Sequence, residues 1–229
     1  MSTAGKVIVA MSGGVDSSVA AALLLEQGCA VTGVFLRFGA VNSGKADADT
    51  RCSSEHAEDA RRVAETLGIE YLVLDVAESF EPILVDFAAE YARGRTPNPC
   101  VSCNPRVKLA RLVALADDLE APYVATGHYA RIADTLDGPP AIVRGRTRNK
   151  DQSYVLFAVP RGLLSRLRLP IGTFESKEQV REVARQRGLP VHDAPASVGR
   201  YRHRTEARIR LVLVIFVFNG NFLDLHISS

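Results

Sequence analysis

The chain has 229 residues, of which 47% are hydrophobic and 24% charged, with a formal net charge of +2 at pH 7. That length holds one sizeable α/β domain with an appendage, and the composition is that of a globular protein, not a disordered one. The small net charge excludes a chain-wide nucleic-acid signature, and no apolar run reaches the ~18 residues of a membrane span. The opening stretch VIVAMSGGVDSSVAAALLLEQG, residues 7–28, then sets the pattern. Val7, Ile8 and Val9 form an unbroken β-branched run, as in a strand buried on both faces. Apolar residues recur at helical spacing from Ser17 to Gln27, and Gly28 is a natural stop.

Between strand and helix lies the tight turn SGGVDSS, residues 12–18. Gly13 and Gly14 let backbone N–H groups approach a ligand, the helix start adds partial positive charge, and Ser12, Ser17 and Ser18 add hydroxyls. The pattern suits phosphate. It is neither G-x-x-x-x-G-K-[ST], which needs a lysine, nor G-x-G-x-x-G. The plainer alternative is an ordinary turn capped by Asp16 or Ser17. A carboxylate on such a loop is expected to add little to the core.

Further along, Cys29–Phe38 reads as a second strand, followed by a polar loop from Gly39 to Ser53. Glu55–Leu67 is an amphipathic helix, Tyr71–Asp75 a third strand and Phe80–Arg93 another helix. Asp75, at a strand end, suits either a ligand contact or a helix cap. GRTPNPCVSCN, residues 94–104, holds too much proline for regular structure, and Val107–Leu119 and Tyr123–Thr126 read as helix and strand. After Gly127 the texture changes. Arg131–Ile132 and Ala141–Arg144 flank DTLDGPP as a hairpin, Ser153–Val159 is apolar, and Ser176–Arg187 is a charged helix capped by Ser176. The alternation argues for about five parallel strands covered by helices. In such sheets ligands sit beyond the carboxyl ends of the strands, where SGGVDSS, FLRFG, GRTPNPCVSCN and ATGHYAR all fall.

SGGVDSS after a first strand resembles the PP-loop of ATP pyrophosphatases. Taken with CSSEHAEDARRVAETLGI, GRTPNPCVSCN, ATGHYARI and NKDQSY, it resembles the bacterial tRNA-uridine 2-sulfurtransferases, or tRNA-specific 2-thiouridylases, from about Lys6 to Asp193. The resemblance implies an α/β, Rossmann-like PP-loop fold with a small helical and hairpin extension. It divides the chain into an ATP-binding part over 1–130, an extension contacting tRNA over 131–195, and an atypical tail over 196–229. It implies ATP and Mg²⁺ as cofactors, and tRNA and a persulfide sulfur-carrier protein as partners. The uridine O2 at the wobble position would attack the α-phosphate of ATP, and a persulfide would then deliver sulfur to C2. By the same resemblance, Ala10, Met11, Ser12, Gly13, Gly14, Val15, Asp16 and Ser17 grip ATP, with Leu36 (usually Met in the family) and Gly127. Asn98, Pro99 and Cys100 face the target base, and Lys150, Asp151 and Gln152 touch tRNA. Cys103 is the nucleophile, expected to be alkylated fastest, with Arg106 and Lys108 near enough to favour its thiolate.

The residues leave other readings open. Cys100-x-x-Cys103 is also the spacing of a structural or metal-binding pair, but a zinc or iron–sulfur site needs more ligands than the chain obviously supplies, and no metal site is expected. His56 and His128 read as hydrogen-bond partners in loops. No secretory signal precedes the first strand, so a cytoplasmic protein without a disulfide framework or membrane partner is expected. The family's carrier cysteine falls at Tyr201 when Pro195 and Ser197 are aligned, with Ala196 replacing an aspartate. The family's two β-rich domains are not matched. Arg200, Arg202, Arg204, Arg208 and Arg210 would suit a phosphate-contacting arm. Residues 211–229 then hold no Arg, Lys or Ala but three of the nine Phe, a break that suggests a foreign or frame-shifted terminus, or else a genuine hairpin around Asn219-Gly220.

Overall fold

A computed structural model describes residues 5–39, 54–136 and 138–193. Cys52, Tyr201, the arginine-rich segment and the Asn219-Gly220 hairpin lie outside them.

Strand β1 (Lys6–Ala10) leads through the SGGVDSS turn into helix α1 (Val15–Glu26), which returns to β2 (Ala30–Arg37). Helix α2 (Ser54–Leu67), strand β3 (Glu70–Asp75) and helix α3 (Ala77–Ala92) follow. Asp75 accepts a hydrogen bond from the Ala77 N–H and pairs with Arg37, so it secures the entry to α3. Those two bonds, the backbone one first, hold its carboxyl below the usual range. GRTPNPCVSCN is partly helical, contrary to the expectation from its prolines. Helix α4 (Pro99–Cys103) passes into a π-helical turn (Asn104–Leu109) and then into α5 (Ala110–Asp118). Asn98 is the N-cap, its Oδ1 accepting from Cys100 N at 3.0 Å, and Pro99 takes the first helical position, where a missing N–H costs nothing.

Strand β4 (Tyr123–Thr126) precedes an antiparallel hairpin, β5 (Ala130–Thr135) with β6 (Gly138–Arg144). Short helix α6 (Arg161–Leu164), the two-residue β7 (Leu167–Arg168) and helix α7 (Lys177–Gln186) complete the described chain. Ser176 caps α7, its Oγ accepting from Gln179 N. The main sheet has the order β3-β2-β1-β4-β7, with every neighbouring pair parallel. It is an α/β, Rossmann-like sheet. Val7 and Val9 face a core shared with α1, α2 and α7, while Ile8 faces one shared with α3 and α5. Burial on both faces is why β1 tolerates no polar alternation. Strand order reverses between β1 and β4, and the crevice at their carboxyl ends is the topological switch point where ligands bind in such sheets.

Candidate nucleotide-binding site

The SGGVDSS turn lies at that switch point. Gly13 adopts φ +74°, and a Cβ there would lie 2.4 Å from the His56 carbonyl oxygen, so only glycine lets the turn pass this close to α2. Gly14 is the N-cap of α1 and, among the described residues, no side-chain hydrogen bond caps the helix. The helix is therefore not capped by Asp16 or Ser17, and the N–H groups of Val15, Asp16 and Ser17, which precede the first helical bond from Ser18 N to Gly14 O, have no intrahelical acceptor. Gly127, after β4, packs directly against the turn: a Cβ on it would lie 2.6 Å from Ser17 N and 2.7 Å from the Asp16 carbonyl carbon. All three hydroxyls the sequence offers to phosphate are engaged within the turn, Ser12 Oγ lying 3.2 Å from Ser17 Oγ. Ser17 and Ser18 are buried and both donate to the Gly14 carbonyl, at 3.1 and 3.0 Å. Ser12 stays exposed, its N–H donating to Ser17 Oγ at 3.1 Å.

The remaining residues assigned to ATP act through backbone or packing. Ala10 ends β1, Val15 is buried, and Met11 is buried under β2, where its Sδ fills the space a side chain on Gly33 would need. Leu36 is buried in the core that also contains Ile8 and Cys103.

Asp16 is the centre of a cluster that the sequence reading missed. Lys177 Nζ lies 2.7 Å from its Oδ2, and Tyr129 Oη donates to its Oδ1 at 2.7 Å. The side chains of Lys177 and Asp16 are 12% and 24% exposed, so the pair is largely shielded from water. Breaking a shielded pair strands the survivor, which corrects the expectation that this loop carboxylate adds little to stability. Burial first, then the Asp16 charge, pushes the Tyr129 phenol far above its ordinary range and keeps it a donor. A second tie, Arg187 to Glu26, joins the far ends of the same two helices. Each pair sits roughly one 15 Å helix length from the other, so α7 lies along α1 and brings its first residue to the turn. One sequence signal was available. A lysine at the first position of a helix opposes the macrodipole and calls for an anionic partner.

The extension reaches the same place by a second route. Gln152 Oε1 accepts from Tyr129 N at 3.0 Å, and Gln152 N donates to Tyr129 O. Asp151 accepts from Gly145 N, Ser153 N and Ser153 Oγ. Burial works to raise its pKa, but these bonds outweigh it and lower the value. The Asp151 side chain thus shapes its own loop, and that of Gln152 ties the loop to Tyr129. Lys150 is exposed and shares with Arg146, Arg148, Lys177, Glu175 and Glu178 a groove of about 410 Å³.

The cysteine segment belongs to the other face of the sheet. Cys103 is buried among the core residues of α3 and α5, whereas Cys100 is partly exposed, and the described cysteines form no disulfide. The buried Asn104 donates from Nδ2 to the Val155 carbonyl at 3.2 Å, while its Oδ1 has no partner among the described residues. Arg106, expected to favour a Cys103 thiolate, is exposed and pairs with Asp86 at 3.8 Å. His128 Nδ1 bonds Thr126 Oγ1 at 2.7 Å, a loop partner as expected.

Among solved structures, the chain is similar to NMN synthetase from Francisella tularensis, with TM-score 0.50 and 18% identity over 96% of this chain and 79% of that one. It is also similar to a glutamine-dependent NAD+ synthetase from Acinetobacter baumannii, with TM-score 0.51 and 15% identity over 100% and 44% of the two chains. These likenesses show the fold. Among curated proteins, it is 49% identical over 199 residues to the tRNA-specific 2-thiouridylase MnmA of Rhodospirillum rubrum, covering 84% of this chain and 52% of that protein. It is 47% identical over 193 residues to that of Deinococcus radiodurans, covering 84% and 50%. The chain spans about half the length of the curated relatives it matches. The family model for the tRNA methyl transferase HUP domain matches residues 5–199, which include every residue described above, and the chain belongs to that family.

Proposed function

We propose that this chain carries the ATP-binding part of a tRNA 2-thiouridylase. The observation that carries the reading is the uncapped start of α1, pressed against Gly127 at the switch point of the sheet. Its first-turn N–H groups and Lys177 suit a polyphosphate. Asp16 is the one carboxylate of the turn. A Mg²⁺ ion, which would neutralise charge on the phosphates, would therefore be held chiefly by the nucleotide, with Asp16 its protein contact.

In this reading the turn holds the β- and γ-phosphates as a leaving group. The O2 of a wobble uridine bonds to the α-phosphorus, the bond to the β-phosphate oxygen breaks, and pyrophosphate departs. The target base must leave its stack to react, so an unpaired anticodon base is the fitting substrate. Asn98, Pro99 and Cys100 would face that base, and Lys150 would meet the tRNA backbone. Sulfur arrives on a persulfide carrier, replaces O2 at C2 as AMP leaves, and must then be cut from its carrier by a thiolate. Cys103 is assigned that attack. The domain division at residues 130 and 195 and a cytoplasmic location belong to the same proposal; no helix among the described residues is long and apolar enough to cross a membrane.

The test is ATP–pyrophosphate exchange with the purified chain. Exchange that depends on tRNA supports the reading, and exchange driven by a small-molecule acceptor without tRNA contradicts it. A second reading, nucleotide and tRNA binding without sulfur transfer, is favoured by Tyr201 at the carrier-cysteine position. Nucleoside mass spectrometry of tRNA incubated with ATP, Mg²⁺ and a persulfide donor separates the two.

A further inference from the structure

The turn that receives the phosphates has no lysine of its own. A phosphate loop without one leaves its charge to backbone dipoles and metal alone, which is weak for a group carrying several negative charges. The fold brings a lysine from elsewhere. Lys177 lies 161 positions from Asp16 in sequence, yet its ammonium sits 2.7 Å from the Asp16 carboxylate, at the first turn of α1.

Three features show that this lysine is placed, not merely present. It occupies the first position of α7, where the helix dipole repels a cation, so its location has an electrostatic cost that Asp16 offsets. The position itself is fixed by the length of α7 running along α1, tied again at the far end by Arg187 and Glu26. Asp16 is held independently through its other oxygen by Tyr129, a phenol kept protonated by burial. The carboxylate therefore stays in place whether or not Lys177 remains on it. Lys177 also lines a groove of mixed charge, with Arg146, Arg148 and Lys150 beside Glu175 and Glu178, so it stands between the turn and that groove.

We infer that Lys177 is a phosphate-binding residue of the nucleotide site, parked on Asp16 until a polyphosphate arrives. The inference rests on the nucleotide reading of the turn. When a nucleoside triphosphate with Mg²⁺ occupies the turn, its anionic oxygens compete with Asp16 for the ammonium, and the divalent cation competes with the ammonium for Asp16. Both exchanges run in the same direction. The ammonium moves from carboxylate to phosphate, and Asp16, still fixed by Tyr129, becomes available to the metal. The side chain's long flexible stem and three donors suit such a transfer, and a bidentate arginine would be harder to release. No covalent bond changes in this step.

The test is calorimetric titration of the whole chain with three probes: Mg–ATP, inorganic pyrophosphate with Mg²⁺, and adenosine. In Lys177→Ala, affinity for Mg–ATP and pyrophosphate is expected to fall about tenfold or more, the scale of one lost charge-assisted contact, with adenosine affinity unchanged. Lys177→Arg keeps the charge but holds Asp16 more tightly, so it is expected to restore only part of the pyrophosphate affinity. Removing the ammonium leaves Asp16 partly shielded and without its cation, so Lys177→Gln, which still donates to Asp16, serves as the folded control and should show the same selective loss. Equal weakening of ATP and adenosine in Lys177→Gln, or no weakening of either, overturns the inference while leaving the nucleotide reading intact. A wild-type chain that binds neither ATP nor pyrophosphate overturns both.

Discussion

The SGGVDSS turn and the GRTPNPCVSCN segment are held by the fold in opposite ways. The turn is fixed by partners distant in sequence: Gly127 beneath it, Lys177 and Tyr129 on Asp16, and His56 against Gly13. The cysteine segment is shaped locally, as a capped helix continuing through a π-turn into α5, and is anchored by the burial of Cys103 and by the hydrogen bond from Asn104 to Val155. Beside that bond the aromatic side chains of Tyr154 and Phe157 are 57% and 71% exposed. Under the proposed function, the turn would be a ligand site built in advance by the whole domain, and the exposed Tyr154 and Phe157 near the cysteine segment would be apolar surface for a macromolecule to cover.

The largest expected effect breaks the first half of that contrast. Asp16→Ala should abolish ATP–pyrophosphate exchange and also lower stability by about 2–3 kcal/mol, because it strands a shielded ammonium and removes the acceptor of a buried phenol. Urea denaturation measures the second effect. A loss below about 0.5 kcal/mol, as for an ordinary surface loop, would mean that the cluster does not hold the turn.

The second prediction concerns the thiols. Cys103 is buried and Cys100 partly exposed, so an alkylating reagent should label Cys100 faster, by about tenfold, since Cys103 reacts only after local opening. This reverses the order expected from the sequence. Peptide mapping by mass spectrometry reads both rates, and Cys103 reacting first in the absence of tRNA would show that the segment opens on its own.

Much of this architecture was legible because its signals are local. The β-branched run at Val7–Val9, the alternation of strands with helices and the Ser176 cap each depend on a few adjacent residues, and each element stands where expected. Two kinds of feature were not. The fifth strand, Leu167–Arg168, has two residues and shows no periodicity to read. The prolines of GRTPNPCVSCN point to irregular structure, although Asn98 before Pro99 is the chemistry of a helix start. In the candidate site, the turn itself could be located from its glycines, but Lys177 and Tyr129 could not be joined to Asp16. Ion pairs between residues more than a hundred positions apart leave no pattern along a single chain. Asp151 shows the reverse case, a polar residue in a loop that points inward to hold its own turn.

A smaller effect sharpens the contrast from the extension side. The folded chain lowers the Asp151 pKa below its ordinary 3.8, so the stability it contributes is present above that value and is lost as pH falls through the lower folded value. Asp151→Asn should therefore flatten the acid limb of the stability curve below about pH 4 and change little at pH 7 beyond the weakened bonds. Acid titrations of both proteins followed by circular dichroism check it; parallel acid limbs would mean that the 145–153 turn does not depend on the carboxylate.

The central claim, that the turn at the end of β1 is a nucleotide site built by its packing on Gly127, is tested most directly by Gly127→Ala. The added Cβ meets backbone that cannot swing aside, 2.6 Å from Ser17 N, so the start of α1 must shift from the end of β4. The account predicts that calorimetric titration with Mg–ATP shows saturable binding to the wild-type chain and at least about tenfold weaker binding to the variant, with helix content preserved and a stability loss of about 1–3 kcal/mol. Equal Mg–ATP affinity in the two proteins, or none in the wild type, would contradict it.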